Sequence, residues 1–472
     1  MANSKSSPPP ESVPLRNLSP PASILSDDFD RLLSEDEAAS ESSSIDLDFS
    51  QNSKPRYPPK DRGRHAWTFL AACWLIEAML WGFPLAFGIF QSYYTSHPHF
   101  ASSTSIPTIG NLATVVSYLA MPLTNMMNIR WPRYQRHMCL AGYALCIVGL
   151  VGASFATQIW HLIFFQGFLY GFGWVVCYTP FLFMLNGWFE KRRGLSYGIL
   201  FSASGVSGLV IPLAVGYLLS RFDFRLALRV YAVITILISG PGFFLIKPRI
   251  PTSSSATMHR PETYAPHGKA DSVLRVLRSP HTTIFAIMIF LQSLAFFLPN
   301  VFLPSYALSL SLSPSQASGL LSLVSLSQVA GQITLGYVSD KTSPYYPMTV
   351  SALVSASGAI FIWGPAKSWG MLAFFAALWG FWSASYSVLY SSVCGFLTED
   401  QEVSMMVYGI FSAERGVGNI LEGPLSAWLV GDKVVMEGAF GLGRFDGLVY
   451  FTGVCMFLAC LGGFGVFVKR GR

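Results

Sequence analysis

Long apolar segments recur along this chain from residue 66 to residue 468, and they limit its fold more than any other feature. Only 12% of the 472 residues are charged, about half the proportion found in soluble domains. An apolar segment of 18 or more residues is long enough to cross a membrane as a helix. The segments predict an all-α membrane protein with twelve transmembrane helices, at 66–92, 107–128, 138–156, 159–187, 194–219, 226–246, 282–308, 315–338, 346–364, 369–393, 403–430 and 446–468.

Polar stretches divide the chain into four predicted parts. Residues 1–60 are acidic and rich in Ser and Pro, a composition that cannot bury enough apolar surface to fold, so we expect a disordered cytosolic tail. A first six-helix bundle covers 61–246, and a polar connector covers 247–281. A second six-helix bundle with a short cytosolic tail covers 282–472.

The Lys and Arg residues between the helices predict the orientation. With both termini in the cytosol, the inner segments hold 21 Lys and Arg residues and the outer loops hold five, as the positive-inside rule requires. The net charge of +6 therefore reflects membrane orientation, and we expect no nucleic-acid partner. We expect the plasma membrane, with the vacuolar and endosomal membranes as open alternatives.

Sequence patterns for enzyme or metal chemistry are missing. The eight His and seven Cys residues show no metal-ligand or disulfide spacing. Gly331 and Gly336 have the spacing of a phosphate-binding loop, but Tyr337 and Val338 follow instead of Lys and Ser or Thr. We therefore expect no enzyme, cofactor or metal site, and a small-molecule path through the helices instead.

Glu77, Glu414, Arg415 and Glu422 are charged residues that lie well inside the apolar segments. A charge at the centre of a bilayer costs about 2.5–3.5 kcal/mol on insertion scales, so it normally faces a cavity or a partner. Helical periodicity puts Arg415, Asn419 and Glu422 on one face. Two interpretations remain open: Arg415 attracts an anion or tunes a proton-carrying Glu422, or Arg415 is a structural pin between helices.

Two motifs carry a family resemblance. Gly336-Tyr-Val-Ser-Asp340-Lys341 resembles the Gly-x-x-x-Asp-Arg/Lys loop of the major facilitator superfamily, as does the arrangement of six plus six helices. The segment WFEKRRGLSYGILFSASG (188–205) resembles the helix-5 entry of the monocarboxylate-porter family, and RGVGNILEGP (415–424) is similar to fungal members. However, Leu85 follows Phe83-Pro84 where proton–monocarboxylate carriers have Lys, and predicted helix 8 has no charge. The known proton and carboxylate machinery of that family is therefore not carried over.

The resemblance implies two pseudo-symmetric bundles around a central cavity lined by helices 1, 4 and 10. It thereby makes Glu77, Trp81, Tyr178, Trp382 and Tyr386 candidates for contact with the substrate or a coupled proton, together with Glu414, Arg415, Asn419 and Glu422. Aromatic rows of this kind also serve packing or face lipid, which remains the alternative. The resemblance further implies an inner gate, in which Asp340 and Lys341 meet the start of helix 5 at Lys191, Arg192 and Arg193 when the cytosolic side is closed. Asp340 would bind there through both charge and the N-terminus of helix 5.

These features together predict a secondary active transporter that moves a small organic solute, monocarboxylate-like or amphipathic, by alternating access. An aromatic, weakly charged pocket favours an amphipathic solute over a sugar. Two alternatives stay open: an efflux carrier for a lipophilic secondary metabolite, and a transporter-like nutrient sensor. Partners would be the solute, with or without a coupled proton, and the lipid bilayer.

Overall fold

The computed structural model describes residues 58–97, 100, 103, 105–249, 266–430, 434–436 and 439–461, except the side chains of 266–270. The described residues from Pro58 onward form one compact unit. The predicted disordered tail lies almost wholly outside the described residues, as does much of the predicted connector. The boundaries of the four predicted parts stay a prediction.

Twelve helices, α1–α12, correspond in order to the twelve predicted segments. They are α1 (Arg64–Ser96), α2 (Ile106–Leu119 and Met121–Arg130), α3 (Pro132–Ala153), α4 (Ile159–Trp188), α5 (Arg193–Arg221), α6 (Phe224–Phe244), α7 (Pro280–Ser309), α8 (Pro314–Ser339), α9 (Tyr345–Trp363), α10 (Trp369–Leu397), α11 (Gln401–Val430) and α12 (Asp446–Cys460). A connector helix, Pro266–Leu277, precedes α7.

Length and hydropathy set most of these helices apart as membrane spans. Nine helices within the described ranges are long and apolar enough to cross a membrane, and α2 makes a tenth if its two pieces, bent by 40°, count as one span. α11, which carries Glu414, Arg415 and Glu422, and the 15-residue α12 fall outside that set.

Local sequence signals account for where several helices begin. At the start of α8, Ser313 immediately precedes Pro314 and forms a capping box with Gln316. This arrangement satisfies N–H groups that would otherwise be unpaired. Asp223 caps α6, and Ser368 caps α10. The polar residues between the apolar segments thus define the helix ends.

Several helices are interrupted within their length. α7 consists of Pro280–Ser293 and Leu298–Ser309, and α10 consists of Trp369–Trp382 and Tyr386–Leu397. α4 contains a π-helical segment, Ile163–Leu169. Such breaks free backbone polar groups, which a membrane protein tolerates where they are buried in protein or line a cavity.

The two bundles meet along α5 with α8 and along α2 with α11. The first contact is close because glycines allow the backbones to approach: a Cβ on Gly198 would overlap the Gln332 carbonyl. The end of the molecule that holds the start of α1, the α4–α5 loop and the α8–α9 loop is called the predicted cytosolic end below.

Candidate functional site

A cavity of about 100 Å³ lies between the two bundles. Its lining comes from α1, α2, α4 and α5 on one side and from α7, α8, α10 and α11 on the other. The lining residues are Glu77, Trp81, Leu85, Tyr118, Met121, Trp174, Tyr178, Phe201, Ser204, Phe296, Phe297, Asn300, Gln328, Gln332, Ala384, Ser387, Tyr390, Tyr408 and Arg415. The structure therefore places Glu77, Trp81, Tyr178 and Arg415, all predicted site residues, around one central cavity.

Glu77 presents a carboxyl group to this cavity from α1. Only 1% of the residue is exposed. Its Oε1 accepts a hydrogen bond of 2.7 Å from Trp81 Nε1, one turn further along the helix. Its Oε2 is buried and has no hydrogen-bond partner in the described part of the chain. A buried oxygen without a partner is costly, so a proton or a donor on a solute would stabilise it.

Arg415 presents a guanidinium group to the same cavity from α11. It is 3% exposed, and its Cζ lies 4.8 Å from the ring centre of Phe296 and 5.9 Å from that of Tyr118. Its Nε has no hydrogen-bond partner, and no carboxylate within the described ranges lies within 4.0 Å of its nitrogens. Ring faces attract a cation, but they leave its N–H groups free for an anion.

A row of aromatic rings connects the two bundles on one side of Glu77 and Arg415. Trp174 contacts Trp81 edge-on at 5.2 Å and stacks on Tyr178 at 4.6 Å. The Tyr178 hydroxyl lies 3.4 Å from that of Tyr408, whose ring stacks on Tyr390 at 5.0 Å. Because α4 belongs to one bundle and α10 and α11 to the other, this row crosses the interface on the side of the predicted cytosolic end.

The remaining predicted residues lie away from the cavity. Trp382 contacts Phe381, and the Tyr386 hydroxyl is buried without a described partner. Glu414 is partly buried on α11. Asn419 is partly buried, and neither polar atom of its amide has a partner among the described residues. None of these four side chains lines the cavity.

Glu422 also lies outside the cavity, although it was predicted to share a face and an interaction with Arg415. It is buried, and its Oε1 has no hydrogen-bond partner among the described residues; the backbone N–H groups that act on its carboxylate electrostatically are those of Phe297 and Leu298, at the break in α7. Arg415 acts on it only through a longer-range electrostatic attraction. Instead of an ion pair, the structure shows two charges on one helix with different neighbours.

The polar cavity residues that were not predicted include Tyr118, Asn300, Gln328 and Gln332. Gln328 donates a hydrogen bond of 2.8 Å to Ser204 Oγ on α5, which joins the two bundles in mid-membrane. Uncharged amides in apolar segments are the only sequence signal for three of these residues, and they give a site its hydrogen-bonding specificity.

At the predicted cytosolic end, Asp340 binds the start of α5. Its two carboxylate oxygens accept hydrogen bonds from the backbone N–H groups of Gly194, at 2.6 Å, and Leu195, at 2.8 Å. Negative charge is favoured at a helix N-terminus. Arg193 lies beside Tyr197, and Lys341 lies beside Tyr337, so the contact to Asp340 comes from the backbone rather than from the predicted basic side chains. Lys191 and Arg192 are exposed.

Asp61, just before α1, binds the other part of the same segment. Oδ1 accepts from the N–H groups of Glu190 and Arg192, both at 2.9 Å, and Oδ2 accepts from Lys191 N–H at 3.1 Å. Burial acts to raise the pKa of Asp61, but these three hydrogen bonds outweigh it and lower the pKa. Burial raises the pKa of Asp340, even though its two N–H contacts oppose the shift.

Comparison with known families agrees with this architecture. The family model described as Major Facilitator Superfamily matches residues 69–287 and 285–471. The chain belongs to the major facilitator superfamily. The prediction of an all-α membrane protein with twelve helices in two six-helix bundles is thereby confirmed, as is the prediction of a secondary transporter.

Individual relatives are about one-quarter identical to this chain in sequence. The MFS transporter asaE of Aspergillus flavus is 25% identical over 79% of this chain and 81% of its own length. The agnestins efflux protein of Paecilomyces divaricatus is 25% identical over 86% and 88%. Human monocarboxylate transporter 11 is 26% identical over 80% and 79%. The predicted resemblance to the monocarboxylate-porter family and its fungal members is thus confirmed.

A solved structure shares the fold. The Escherichia coli fucose:proton symporter FucP superimposes with a TM-score of 0.61, at 12% identity, over 87% of this chain and all of that one. At this identity the match concerns the fold alone. The chain is a multi-pass membrane protein of a transporter family.

Proposed function

We propose that this protein transports an amphipathic organic monocarboxylate through the central cavity by alternating access. The observation that carries the proposal is Arg415, a buried guanidinium that faces the cavity with no carboxylate in salt-bridge contact within the described chain. An unpaired charge in a membrane is expensive. A carboxylate on the solute would supply the missing partner and accept the planar N–H groups of the guanidinium.

The aromatic lining supports the amphipathic part of this proposal. Trp81, Trp174 and Tyr178 form a continuous ring surface on one wall, and Phe296 lies on the other. Rings provide apolar contact area for the non-polar part of a solute. The solute would place its carboxylate at Arg415 and its apolar body against these rings.

Glu77 supports proton coupling in the same cavity. Its unpartnered Oε2 would bear a proton when a carboxylate enters, because a second negative charge in the cavity is unfavourable. Proton release after the solute leaves would return the cavity to its starting charge. The solute and the proton would therefore cross together, with both termini cytosolic and the plasma membrane as the site of action.

The test compares pairs of solutes that differ only in charge. Purified protein is reconstituted in liposomes, and the flux of 3-phenylpropionate is compared with that of 3-phenylpropionamide. We expect a preference for the acid, loss of that preference in Arg415→Gln, and loss of pH-gradient dependence in Glu77→Gln. Equal flux of acid and amide, unchanged by Arg415→Gln, would contradict the proposal.

Efflux of a neutral lipophilic metabolite is the second candidate. It is supported by the aromatic cavity and by the efflux protein of Paecilomyces divaricatus among the relatives. The same experiment separates the two candidates, because a neutral lipophilic substrate predicts that the amide is transported at least as well as the acid.

A further inference from the structure

The contact between α2 and α11 has a hydrogen bond of its own at the predicted cytosolic end. Asn125 Nδ2, on α2, donates to the backbone carbonyl of Met405, on α11, at 2.6 Å. Asn125 is fully buried. Because α2 belongs to the first bundle and α11 to the second, this bond crosses the interface between the bundles.

Gly409 leaves the space that this hydrogen bond needs. It lies one turn after Met405 on α11, and a Cβ at this position would be 2.6 Å from Asn125 Nδ2 and 3.2 Å from Pro122 Cα. Non-bonded atoms pack best at about 3.5–4.0 Å. A side chain at position 409 would therefore push the Asn125 amide away from the Met405 carbonyl.

The side chain of Met405 contacts two further helices of the first bundle. Its sulfur lies 3.1 Å from Asn186 Nδ2, on α4, and 3.9 Å from the Tyr197 hydroxyl, on α5. The Tyr197 hydroxyl also donates to Asn186 Oδ1 at 3.2 Å. One residue of the second bundle thus contacts α2, α4 and α5 of the first.

These contacts lie between the central cavity and the predicted cytosolic end. Met121 and Tyr408 line the cavity. Met121 comes one turn before Asn125 on α2, which runs toward that end, and Tyr408 comes about one turn after Met405 on α11, which starts there. The bundles must therefore separate at Asn125 and Met405 before the cavity can open to that end.

We propose that Asn125 is a positioning residue for transport, which holds the predicted cytosolic end closed by binding the Met405 carbonyl. It does not line the cavity, so it acts on the solute path through α11. Asp340 makes the contact between α5 and α8 with a carboxylate. Residues 121–138, in α2 and the start of α3, contain no Asp or Glu, and a neutral amide makes the contact between α2 and α11 instead.

The experiment measures the separation of the bundles in the purified protein. Spin labels are attached to cysteines introduced by Tyr134→Cys, at the start of α3, and Glu399→Cys, just before α11, and their distance distribution is measured. Both positions are exposed, whereas all seven natural cysteines are buried. Asn125→Ala should raise the ratio of long to short distances about 2- to 13-fold, as expected for one lost hydrogen bond. No solute is added, so the outcome does not depend on which solute is transported.

Asn128→Ala is the matched control. Asn128 is fully buried on the same helix, and its Nδ2 donates to the Thr124 carbonyl at 2.8 Å and to Thr179 Oγ1 at 3.1 Å. Both partners belong to the first bundle, so loss of this amide should lower the melting temperature and change the distance ratio less than twofold. An equal change of the ratio in Asn125→Ala and Asn128→Ala, or no change in Asn125→Ala, would overturn the proposal.

Gly409→Ala tests the same contact from α11. The added methyl group displaces the Asn125 amide, so this variant should shift the distance ratio in the same direction. If Asn125→Ala does not fold, an unchanged ratio in Gly409→Ala would itself contradict the proposal. Combined with Asn125→Ala, Gly409→Ala should add little, because the bond is already lost and the smaller side chain leaves room for the methyl group. Fully additive shifts would mean that the two changes act on different contacts and that the role given to Asn125 is wrong.

Discussion

Asp61 and Asp340 bind neighbouring backbone N–H groups of the same short segment, residues 190–195, from two sides. Asp61 precedes α1, in the same bundle as this segment, whereas Asp340 follows α8 in the other bundle. Asp61 can therefore keep its contacts while the bundles move, and Asp340 must give up its contacts when they separate. Asp61 thus holds the segment in place within its own bundle, and Asp340 forms the contact between the two bundles.

Asp340→Asn should slow transport without removing the protein from the membrane. The variant replaces one of the two acceptor oxygens with an NH2 group, so one of the N–H groups of Gly194 and Leu195 loses its acceptor. A buried donor left without a partner costs about 1–3 kcal/mol, so closure at the predicted cytosolic end should weaken about 5- to 150-fold. Turnover and the amount of membrane-inserted protein are measured together. Lys341→Gln is the comparison variant, because Lys341 lies over the Tyr337 ring and acts on Asp340 only through its charge, without a hydrogen bond to the start of α5; its effect on turnover should be smaller. Equal turnover in the two variants would show that Asp340 is not part of a gate.

The opposite pKa shifts of the two aspartates predict how stability depends on pH. The pKa of Asp340 is raised, so its contribution to the free energy of unfolding is fully present below its unfolded pKa and is lost as pH rises through its folded pKa. The pKa of Asp61 is lowered, so its contribution is present above the unfolded pKa, about 3.9, and is lost as pH falls through the folded value. Mild acidification should therefore raise the melting temperature through Asp340 and leave the contribution of Asp61 intact.

Melting curves of the purified protein between about pH 7 and pH 4 check this prediction. The rise in Tm should persist in Asp61→Asn and disappear in Asp340→Asn. A fall in Tm over this range that Asp61→Asn abolishes would contradict the assigned directions.

Hydropathy predicted the order and number of the helices but not their interruptions. The prediction of 403–430 for helix 11 corresponds to Gln401–Val430, and 159–187 for helix 4 corresponds to Ile159–Trp188. The prediction of 282–308 for helix 7 as one helix missed the break after Ser293. Hydropathy sums side-chain transfer energies and carries no information on backbone direction, so a break inside an apolar segment leaves little trace.

The same limitation affects the predicted site. Glu77 and Arg415 were accessible to sequence reasoning because a charge in an apolar segment is costly and implies a cavity or a partner. The neighbours of Glu422 were not, because they are backbone N–H groups on a helix that is distant in sequence. Helical spacing grouped Trp382 and Tyr386 with the cavity, but the break between them changes which face of α10 the cavity meets.

Gly198→Ala should destabilise the contact between α5 and α8. The new methyl group would overlap the Gln332 carbonyl, and overpacking of this kind typically costs about 1–3 kcal/mol. Gly319→Ala in α8 is the control, because no atom lies within 4 Å of its added Cβ. Replacing Gly by Ala within a helix is otherwise favourable by about 0.5–1 kcal/mol. Tm should fall for the first variant and not for the second; equal shifts would show that the close approach is not required.

The folding and flux expected when both Arg415 and Glu422 are replaced depend on whether the two residues act as a pair. If they were a structural ion pair, Arg415→Gln would leave a buried carboxylate unpaired, and the added change Glu422→Gln would restore folding and flux. The structure places no carboxylate within 4.0 Å of Arg415 in the described chain, and Arg415 acts on Glu422 only through a longer-range attraction. Arg415→Gln should therefore leave folding intact and lower acid transport about 10- to 150-fold, as expected for a lost hydrogen bond to a charged group.

The double variant should be at least as impaired as Arg415→Gln alone, because the second change does not return a cation to the cavity. Arg415→Lys retains the charge but not the planar set of donors, so it should keep part of the activity. Flux and melting temperature are measured for all three variants and the unmodified protein. Recovery of flux in the double variant would mean that the two charges hold α11 in place and that the solute anion binds elsewhere.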